Sequence, residues 1–475
     1  MKSIVMPSKA LVLSLLAISF SGCGSPPEPK SRYRNVVLIG VDTLRPDHLG
    51  FGGSKFETSP TLDGFAKNAM VFDQAYSTAS WTLPAFASLL TGLDPAEHGA
   101  GIMLRHTGER EWDEERVGLR QRTIMDPSVQ TLAERLSDEG FATYGVAQSP
   151  NLAGAYGFER GFDAYENVSD GRRRANGSVD LALELLDREL DRPTFMFLHL
   201  IDPHLTYDAP EPATGVFTGD IDAGLSLPVA NIGNLRDEYI NYSPIQRDFV
   251  SAAYDEEILF TDQQINRFLN GLRERGMDKN TLIILTSDHG EEFFEHGGFE
   301  HGHSMYQEVI QVPFLVWGKG ITGGLDSTPV SIADAAPTIL DALGLEAGEP
   351  GFGKSLWPQI DAGAVGMMDR MIVAAGTLYG PEKRMAIVWP YKLIQLPGKK
   401  VLELYNLESD PGETKDVSNA NRVLTWEMAE ELDRRMYSIA HGPQGAGAEI
   451  DASMKSGLEE LGYTDGGEEA DAGSE

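Results

Sequence analysis

Cysteine is almost absent from this chain of 475 residues, with Cys23 as the single example. No intramolecular disulfide can therefore form, and no other position can supply a thiolate ligand to a metal. Basic residues are also scarce, since 39 Lys and Arg face 72 Asp and Glu, for a formal net charge of -33. This balance excludes a basic surface that binds nucleic acid or another polyanion, whereas a small anion in a metal-lined pocket stays compatible with it.

Long hydrophobic runs are few, and the N-terminal one is too short to span a bilayer as a permanent helix. It covers residues 10–20, follows Lys2 and Lys9, and leads into Phe20-Ser21-Gly22-Cys23, a pattern typical of a lipoprotein signal peptide. We therefore expect residues 1–22 to be removed and Cys23 to carry a lipid. The protein would then be exported and anchored to a bacterial membrane, facing the periplasm or the cell surface; ordinary secretion is the alternative.

Three apolar runs have the composition of buried parallel strands, and polar side chains end or follow each of them: residues 35–42 end at Asp42, residues 194–201 precede Asp202 and His204, and residues 281–287 precede Asp288 and His289. Helical patterns at 128–138, 178–190 and 254–275 separate or flank these runs. This alternation predicts an α/β fold whose mostly parallel sheet has helices on both faces. Ligands bind such sheets at the carboxyl ends of the strands.

The pattern of predicted secondary structure changes from about residue 369. Strand-like runs at 371–375, 385–388 and 391–396, followed by an amphipathic helix at 423–440, predict a small antiparallel sheet with a helix. The predicted organisation is therefore a signal peptide (1–22), a linker (23–34), a catalytic domain (35–368), a C-terminal α+β subdomain (369–440) and an acidic, disordered tail (441–475).

A series of motifs runs in order from about residue 35 to 418. The segment at 81–92 reads Trp-Thr-Leu-Pro-Ala-Phe-Ala-Ser-Leu-Leu-Thr-Gly, and further motifs lie at 42–50, 58–63, 202–204, 287–291, 300–308, 312–314 and 403–413. Together they resemble the sulfatase branch of the alkaline phosphatase superfamily, whose signature Cys/Ser-x-Pro-Ser-Arg-x-x-Leu-Leu-Thr-Gly is similar to residues 81–92. The resemblance implies an alkaline-phosphatase-like fold and an ester hydrolase.

Four residues depart from the family pattern. Thr82 replaces the cysteine or serine that is oxidised to formylglycine, and the methyl group on its Cβ prevents formation of that aldehyde. Phe86 replaces the arginine of the signature, Thr43 replaces a second acid, and His289 replaces an asparagine. We therefore expect no formylglycine, and instead a Thr82 hydroxyl that a metal activates as the nucleophile.

The resemblance implies a metal site made of Asp42, Thr82, Asp288 and His289. Because this set mixes oxygen ligands with an imidazole, it favours zinc or manganese over calcium. We identify no Asp-x-x-x-His motif of the kind that two-metal relatives use for a second ion, so we expect one divalent metal. Thr82 should precede a helix at 83–90, whose free N–H groups would face the substrate anion.

Histidines and one arginine complete the predicted site. The resemblance implies that His204 and His301 are catalytic, by binding an oxygen of the transferring group or protonating the leaving group. Arg45 and His303 are candidates for substrate binding, although Arg45 could equally pair with Asp47.

Three other features are given simpler interpretations. His199, inside an apolar run, is interpreted as a satisfied core histidine rather than a ligand. The acids at 255–257 are interpreted as the solvated start of a helix. The insertion at 102–125 is expected to shape the pocket.

The leading hypothesis is a metal-dependent hydrolase or transferase of phosphate esters, with diesters or phosphonates favoured. Such esters carry one negative charge, which suits a single metal with few basic neighbours. The first alternative is a sulfuric ester hydrolase that uses the same site without formylglycine. The second is a catalytically inactive binding protein on the same fold. The expected partners are a small anionic ester and the membrane, with no nucleic acid; no protein partner is inferred.

Overall fold

The central sheet has eight strands. In chain order they are β1 (Asn35–Val41), β2 (Met70–Phe72), β3 (Ala142–Ala147), β4 (Ala164–Asn167), β5 (Thr194–Leu200), β6 (Thr281–Ser287), β7 (Phe314–Trp317) and β8 (Gly324–Asp326). Their order across the sheet is β8-β2-β7-β6-β1-β5-β3-β4. Strands β6, β1, β5, β3 and β4 are parallel to one another, whereas β7 runs antiparallel to both of its neighbours. The predicted mostly parallel α/β sheet is therefore confirmed.

This computed structural model describes residues 31–102, 122–168, 174–188, 191–229, 242–346, 351–363, 366, 369–397, 401–440, 447 and 452–460. The predicted signal peptide, Cys23 and most of the 102–125 insertion lie outside these residues. Among the described residues, no helix combines the length and the apolar composition needed to cross a membrane.

Helices cover both faces of the sheet. Alternate residues of a strand point to opposite sides, and in β1 both sets are apolar, so both faces need cover. Val36 and Leu38 of β1 share a core with helices Thr82–Thr91 and Ala335–Ala342. The alternate side chains of β1 pack with helices Ala175–Leu186 and Pro244–Glu274. The remaining helices are Pro60–Ala66, Pro95–His98, Leu132–Asp138, Gln307–Ile310, Trp357–Ala362, Arg422–Ala440 and Ala452–Glu460.

The acids at 255–257 lie in the middle of helix Pro244–Glu274, which begins ten residues before its predicted start. Asp255, Glu256 and Glu257 are all buried. The Asp255 carboxylate contacts His48, and Glu257 accepts the N–H of Asp208. The Glu256 carboxylate accepts the backbone N–H groups of Gly215, Phe217 and Thr218. The prediction of a solvated helix start is wrong, because the three carboxyl groups are buried against His48 and loop backbone rather than exposed to water.

The C-terminal part forms the predicted antiparallel sheet, with strands β9 (Ile372–Ala375), β10 (Arg384–Val388), β11 (Tyr391–Leu396) and β12 (Val401–Asn406). One face packs on helix Arg422–Ala440, and the other packs on residues of the main body that include Tyr76 and Met305. Strand β12 was not predicted.

Both ends of the described chain are more ordered than predicted. Tyr33, within the predicted linker, is buried, and the backbone N–H of Arg34 donates to Asn280. Helix Ala452–Glu460, within the predicted tail, buries Leu458 in the core beside the sheet. Both segments are held by tertiary contacts that their composition does not reveal.

Candidate active site

Three neighbouring strands end at the same edge of the sheet. Strand β1 lies between β5 and β6, and its last residue, Val41, pairs with Leu200 on one side and Ser287 on the other. Asp42 and Asp288, the residues that follow these strand ends, therefore meet at the carboxyl edge, as the sequence predicted.

Asp42 is fully buried, and its two carboxylate oxygens have different surroundings. Oδ2 lies 3.3 Å from Nε2 of His199. Nδ1 of His199 accepts the backbone N–H of Gln148, so the ring proton sits on Nε2 and is donated to Asp42. The other oxygen, Oδ1, has no hydrogen-bond partner.

Asp288 is held in the same way. Its Oδ1 accepts the backbone N–H groups of Thr43 and His289, at 3.2 and 2.9 Å. Thr43 reaches this oxygen from a left-handed backbone conformation, with φ of 55°, which is uncommon for a β-branched residue. The second oxygen, Oδ2, is left without a hydrogen-bond partner.

His289 completes a buried group of three. Its Nδ1 donates to the carbonyl oxygen of Gly290 at 3.0 Å, which directs the Nε2 lone pair towards the two acids. Nε2 lies 3.2 Å from Asp288 Oδ2 and 3.8 Å from Asp42 Oδ1.

One ligand atom from each of these residues lies within 4.8 Å of the others, and all three of these atoms lack a hydrogen-bond partner. Buried polar atoms normally have partners, so three that converge without one fit a bound divalent cation. Ionisation follows the same logic. Burial and the nearby Asp42 raise the pKa of Asp288, and a cation would relieve both effects.

Thr82 begins helix Thr82–Thr91, after Trp81 as N-cap, close to its predicted start. It is fully buried. Two contacts bring this segment to the site. The Phe86 ring, one turn further along, packs edge-on against His199 at 4.9 Å, and the carbonyl of Ser80 accepts the N–H of Gly302, next to His301.

The predicted catalytic histidines lie beside this group. The His301 ring is 4.3 Å from the His289 ring and 5.1 Å from the His204 ring. His204 donates from Nδ1 to the carbonyl of Leu205, and Nδ1 of His301 lies 3.0 Å from Glu291 Oε1.

A family model described as Sulfatase matches residues 34–345 of this chain. The chain belongs to the sulfatase family. It is 26% identical over 367 residues to an arylsulfatase of Clostridium perfringens, with 65% of this chain and 74% of the relative covered. A putative sulfatase from Bacteroides thetaiotaomicron has the same fold, with a TM-score of 0.69, 18% identity and coverage of 89% and 96%. The phosphonate monoester hydrolase of Agrobacterium radiobacter also matches, with a TM-score of 0.67, 18% identity and coverage of 85% and 96%.

Membership of the sulfatase family confirms two predictions: the resemblance itself and an ester hydrolase of this family. Sulfatase-family enzymes use a divalent metal, and the trio of Asp42, Asp288 and His289 is a possible site for it in this member.

Arg45, one of the two substrate-binding candidates, is engaged by other protein groups. Its guanidinium donates to both oxygens of Asp47 at 3.0 and 2.7 Å, to Glu295 at 2.6 Å and to the carbonyl of Glu291. These bonds favour the ion pair with Asp47 over contact with the substrate anion. Arg45 therefore braces the turn that carries the site of this sulfatase-family chain.

His303, the other candidate, lies at the rim of the site. Its Nε2 is 2.8 Å from Glu292 Oε2, and its Nδ1 is 3.3 Å from the carbonyl oxygen of His301. The side chain keeps 27% of its surface exposed, so it can still face a ligand.

Two residues of the sulfatase-family site went unassigned in the sequence. His199 is a satisfied buried histidine, as interpreted, but the group that satisfies it is Asp42. Glu291 contacts His301, and burial, Glu300 and Asp42 raise its pKa well above the ordinary value. Glu291 could have been found in the sequence, because it lies two residues after His289. For His199 the sequence shows only that it lies in a predicted strand.

Proposed function

We propose that this chain is a metal-dependent hydrolase or transferase of phosphate esters, with diesters or phosphonates favoured, that uses Thr82 as its nucleophile. The observation that carries the proposal is the convergence of three unpartnered ligand atoms at the strand edge beside a helix that begins with threonine. The likeness to phosphonate monoester hydrolases agrees with a phosphorus ester but shows the fold alone.

The proposed metal is a single zinc or manganese ion held by Asp42, Asp288, His289 and the Thr82 oxygen. Two carboxylates and one imidazole suit these ions better than calcium, which prefers oxygen ligands throughout. When bound, the cation would lower the pKa of the Thr82 hydroxyl and offset the charge of the transferring group.

The reaction proceeds in two displacements. The Thr82 oxygen attacks phosphorus and gives up its proton to water, while the bond from phosphorus to the leaving oxygen breaks. Water or an alcohol then attacks the phosphothreonine, the bond from phosphorus to the Thr82 oxygen breaks, and the threonine hydroxyl is restored. The N–H groups at the start of helix Thr82–Thr91 favour the anion throughout.

Proton transfer to the leaving oxygen is assigned to the pair His204 and His301. The rings are 5.1 Å apart, so either can reach an oxygen held between them. Glu291 contacts Nδ1 of His301 at 3.0 Å and so holds the orientation of that ring beside His204. His303 is retained as a substrate contact at the rim.

We also propose that the protein is exported and held at a bacterial membrane by a lipid on Cys23. The support is the signal-like pattern of residues 1–23 and the Pro-rich segment that follows it. A Cys23→Ser variant should leave the membrane fraction in a cell fractionation experiment, and retention there would contradict the anchor.

Turnover of aryl phosphate, phosphodiester and phosphonate esters tests the enzyme. Thr82→Ala should abolish activity, Thr82→Ser should keep part of it, and chelation followed by zinc or manganese should restore it. Thr91→Ala is the matched control, because Thr91 ends the same helix and its hydroxyl bonds only to backbone groups at that end, the carbonyl of Ala87 and the N–H of Leu93. Unchanged turnover in Thr82→Ala would contradict the nucleophile assignment. No turnover of any ester by the metal-loaded wild type would instead favour the inactive binding protein.

Sulfate-ester hydrolysis by the same site, without formylglycine, is the second candidate. The relatives favour it, since a Clostridium perfringens arylsulfatase is among them. A higher kcat/KM for an aryl sulfate than for the matched phosphate diester, lost in Thr82→Ala, would replace the leading proposal by this one.

A further inference from the structure

Arg122 is a buried cation that has no anionic partner among the described residues. The residue is only 5% exposed, and its side-chain atoms Nε and Nη2 have no hydrogen-bond partner. No carboxylate of a described residue forms an ion pair with it. A buried, unpaired charge costs several kcal/mol, so proteins normally supply a counter-charge.

The neighbours of Arg122 are also unpartnered, and they are donors. Its guanidinium lies 6.0 Å from the centroid of the Trp81 ring, whose indole Nε1–H has no acceptor. The hydroxyl of Tyr156 is likewise buried without a partner. Arg122 acts on Tyr156 electrostatically, since it offsets part of the rise in the pKa of Tyr156 that burial causes.

This group is built into the start of the nucleophile helix. Arg122 pairs with Ile102 in a two-stranded ladder. A Cβ added at Gly101 of this ladder would lie 3.8 Å from the side chain of Pro84, in the first turn of helix Thr82–Thr91. The backbone N–H of Met125 donates to the carbonyl of Tyr156, which fixes the Tyr156 turn beside the same ladder. Trp81 is the residue directly before Thr82.

We propose that Arg122, Trp81 and Tyr156 form a second anion-binding site, next to the catalytic one, for a small oxyanion such as a sulfate, phosphate or carboxylate group. Water could satisfy the neutral donors, but it does not compensate the guanidinium charge. Arginine instead presents parallel N–H groups that match two oxygens of one anion, and the indole and phenol add neutral donors.

The oxyanion has two possible sources. It is either a free anion, such as the phosphate or sulfate product, or an anionic substituent on the substrate. The second source rests on the proposed function, whereas anion binding itself does not. Binding of inorganic anions to a protein that cannot turn over tests the site itself, and the turnover of two matched esters then separates the two sources.

The first experiment measures binding of inorganic sulfate and phosphate by calorimetry to the full chain with Thr82→Ala, after chelation of metal. We expect saturable binding, weakened about ten-fold or more by Arg122→Gln and less by Arg122→Lys, which keeps the charge. Arg160→Gln is the matched control, because that guanidinium is already satisfied by backbone carbonyls, including those of Gly157 and Val129. Absence of saturable binding, or equal binding in Arg122→Gln, overturns the site.

Unfolding midpoints keep the test independent of any folding defect. Sulfate should raise the midpoint of the parent protein and of Arg160→Gln, but not that of Arg122→Gln. An equal rise in all three proteins would also overturn the site.

The second experiment compares aryl phosphate esters with and without a carboxylate on the ring. A lower KM for the carboxylated ester, lost in Arg122→Gln while kcat for the plain ester is kept, identifies the substrate substituent as the source. Equal KM values together with anion binding in the first experiment identify a free oxyanion. If the metal-loaded wild type turns over no ester but anion binding is still observed, the result contradicts the proposed function and leaves the anion site standing.

Discussion

Replacing His199 should weaken metal binding even though His199 is not one of the proposed metal ligands. Its Nε2–H is the one hydrogen bond that Asp42 Oδ2 accepts from the described residues, and it turns Oδ1 towards Asp288 and His289. Loss of a partner that orients a ligand costs about 10–100-fold in metal affinity. The 3.3 Å contact is long, so we expect the lower end, about ten-fold or about 1.4 kcal/mol.

A matched pair of variants isolates this bond. His199→Met and His199→Gln both remove the acceptor for the Gln148 N–H, but only glutamine keeps a donor that can reach Asp42. Competition with a chromophoric chelator should give a dissociation constant about ten-fold higher for His199→Met, with His199→Gln nearer to wild type. Circular dichroism would check that both variants are folded. Equal metal affinity in the two variants would refute the role given to His199.

Three further predictions concern stability, measured by chemical unfolding. Lys392→Met should cost about 3–5 kcal/mol, because it leaves Glu413 buried without the cation now 2.8 Å away, and adding Glu413→Gln should recover much of this; no recovery would contradict it. Gly40→Ala should cost about 1–3 kcal/mol, since its new Cβ would lie 2.3 Å from the Phe86 ring, whereas Gly64→Ala, in open space, should cost nothing. Burial lowers the pKa of His98 from 6.5 to about 3, so its neutral form is favoured in the fold, and stability present above about pH 6.5 should fall as the pH drops towards 3, by about 2 kcal/mol at pH 5. His98→Asn should remove that part of the slope, and an unchanged slope would count against it.

Much of the site was readable from the sequence because strand order and chemistry agree there. An apolar run that ends in an acid fixes both the buried strand and the place of its carboxylate, which is why Asp42, Asp288 and His289 could be put together. The presence of helices on both faces of the sheet also followed from the alternation of strands and helices in the sequence.

The interactions that failed to appear in the sequence depend on register. His199 meets Asp42 only because β5 pairs with β1 so that Gly40 faces His199. Arg45 is drawn to Glu295 by a turn that local sequence does not specify.

Burial of charge was the other source of error. The acids at 255–257 have the composition of a solvated face, yet Asp255 contacts His48, and Glu256 and Glu257 accept N–H groups of loop residues between 208 and 218. Helix Ala452–Glu460 likewise has a polar composition, and its order follows from the burial of Leu458 against the body of the protein. Sequence patterns indicate local structural preferences. They do not reveal these contacts, because the contacts join residues that are distant in the sequence.

The proposed reaction requires that Thr82 carry the transferring group in a covalent bond. This bond is tested by an acid quench of the metal-loaded protein during turnover of a 32P-labelled ester, followed by peptide mass spectrometry. We expect label on the peptide that contains Thr82, stable to acid, present in Thr91→Ala and absent in Thr82→Ala. Turnover that continues with no label on Thr82, or with label on another residue, would contradict it.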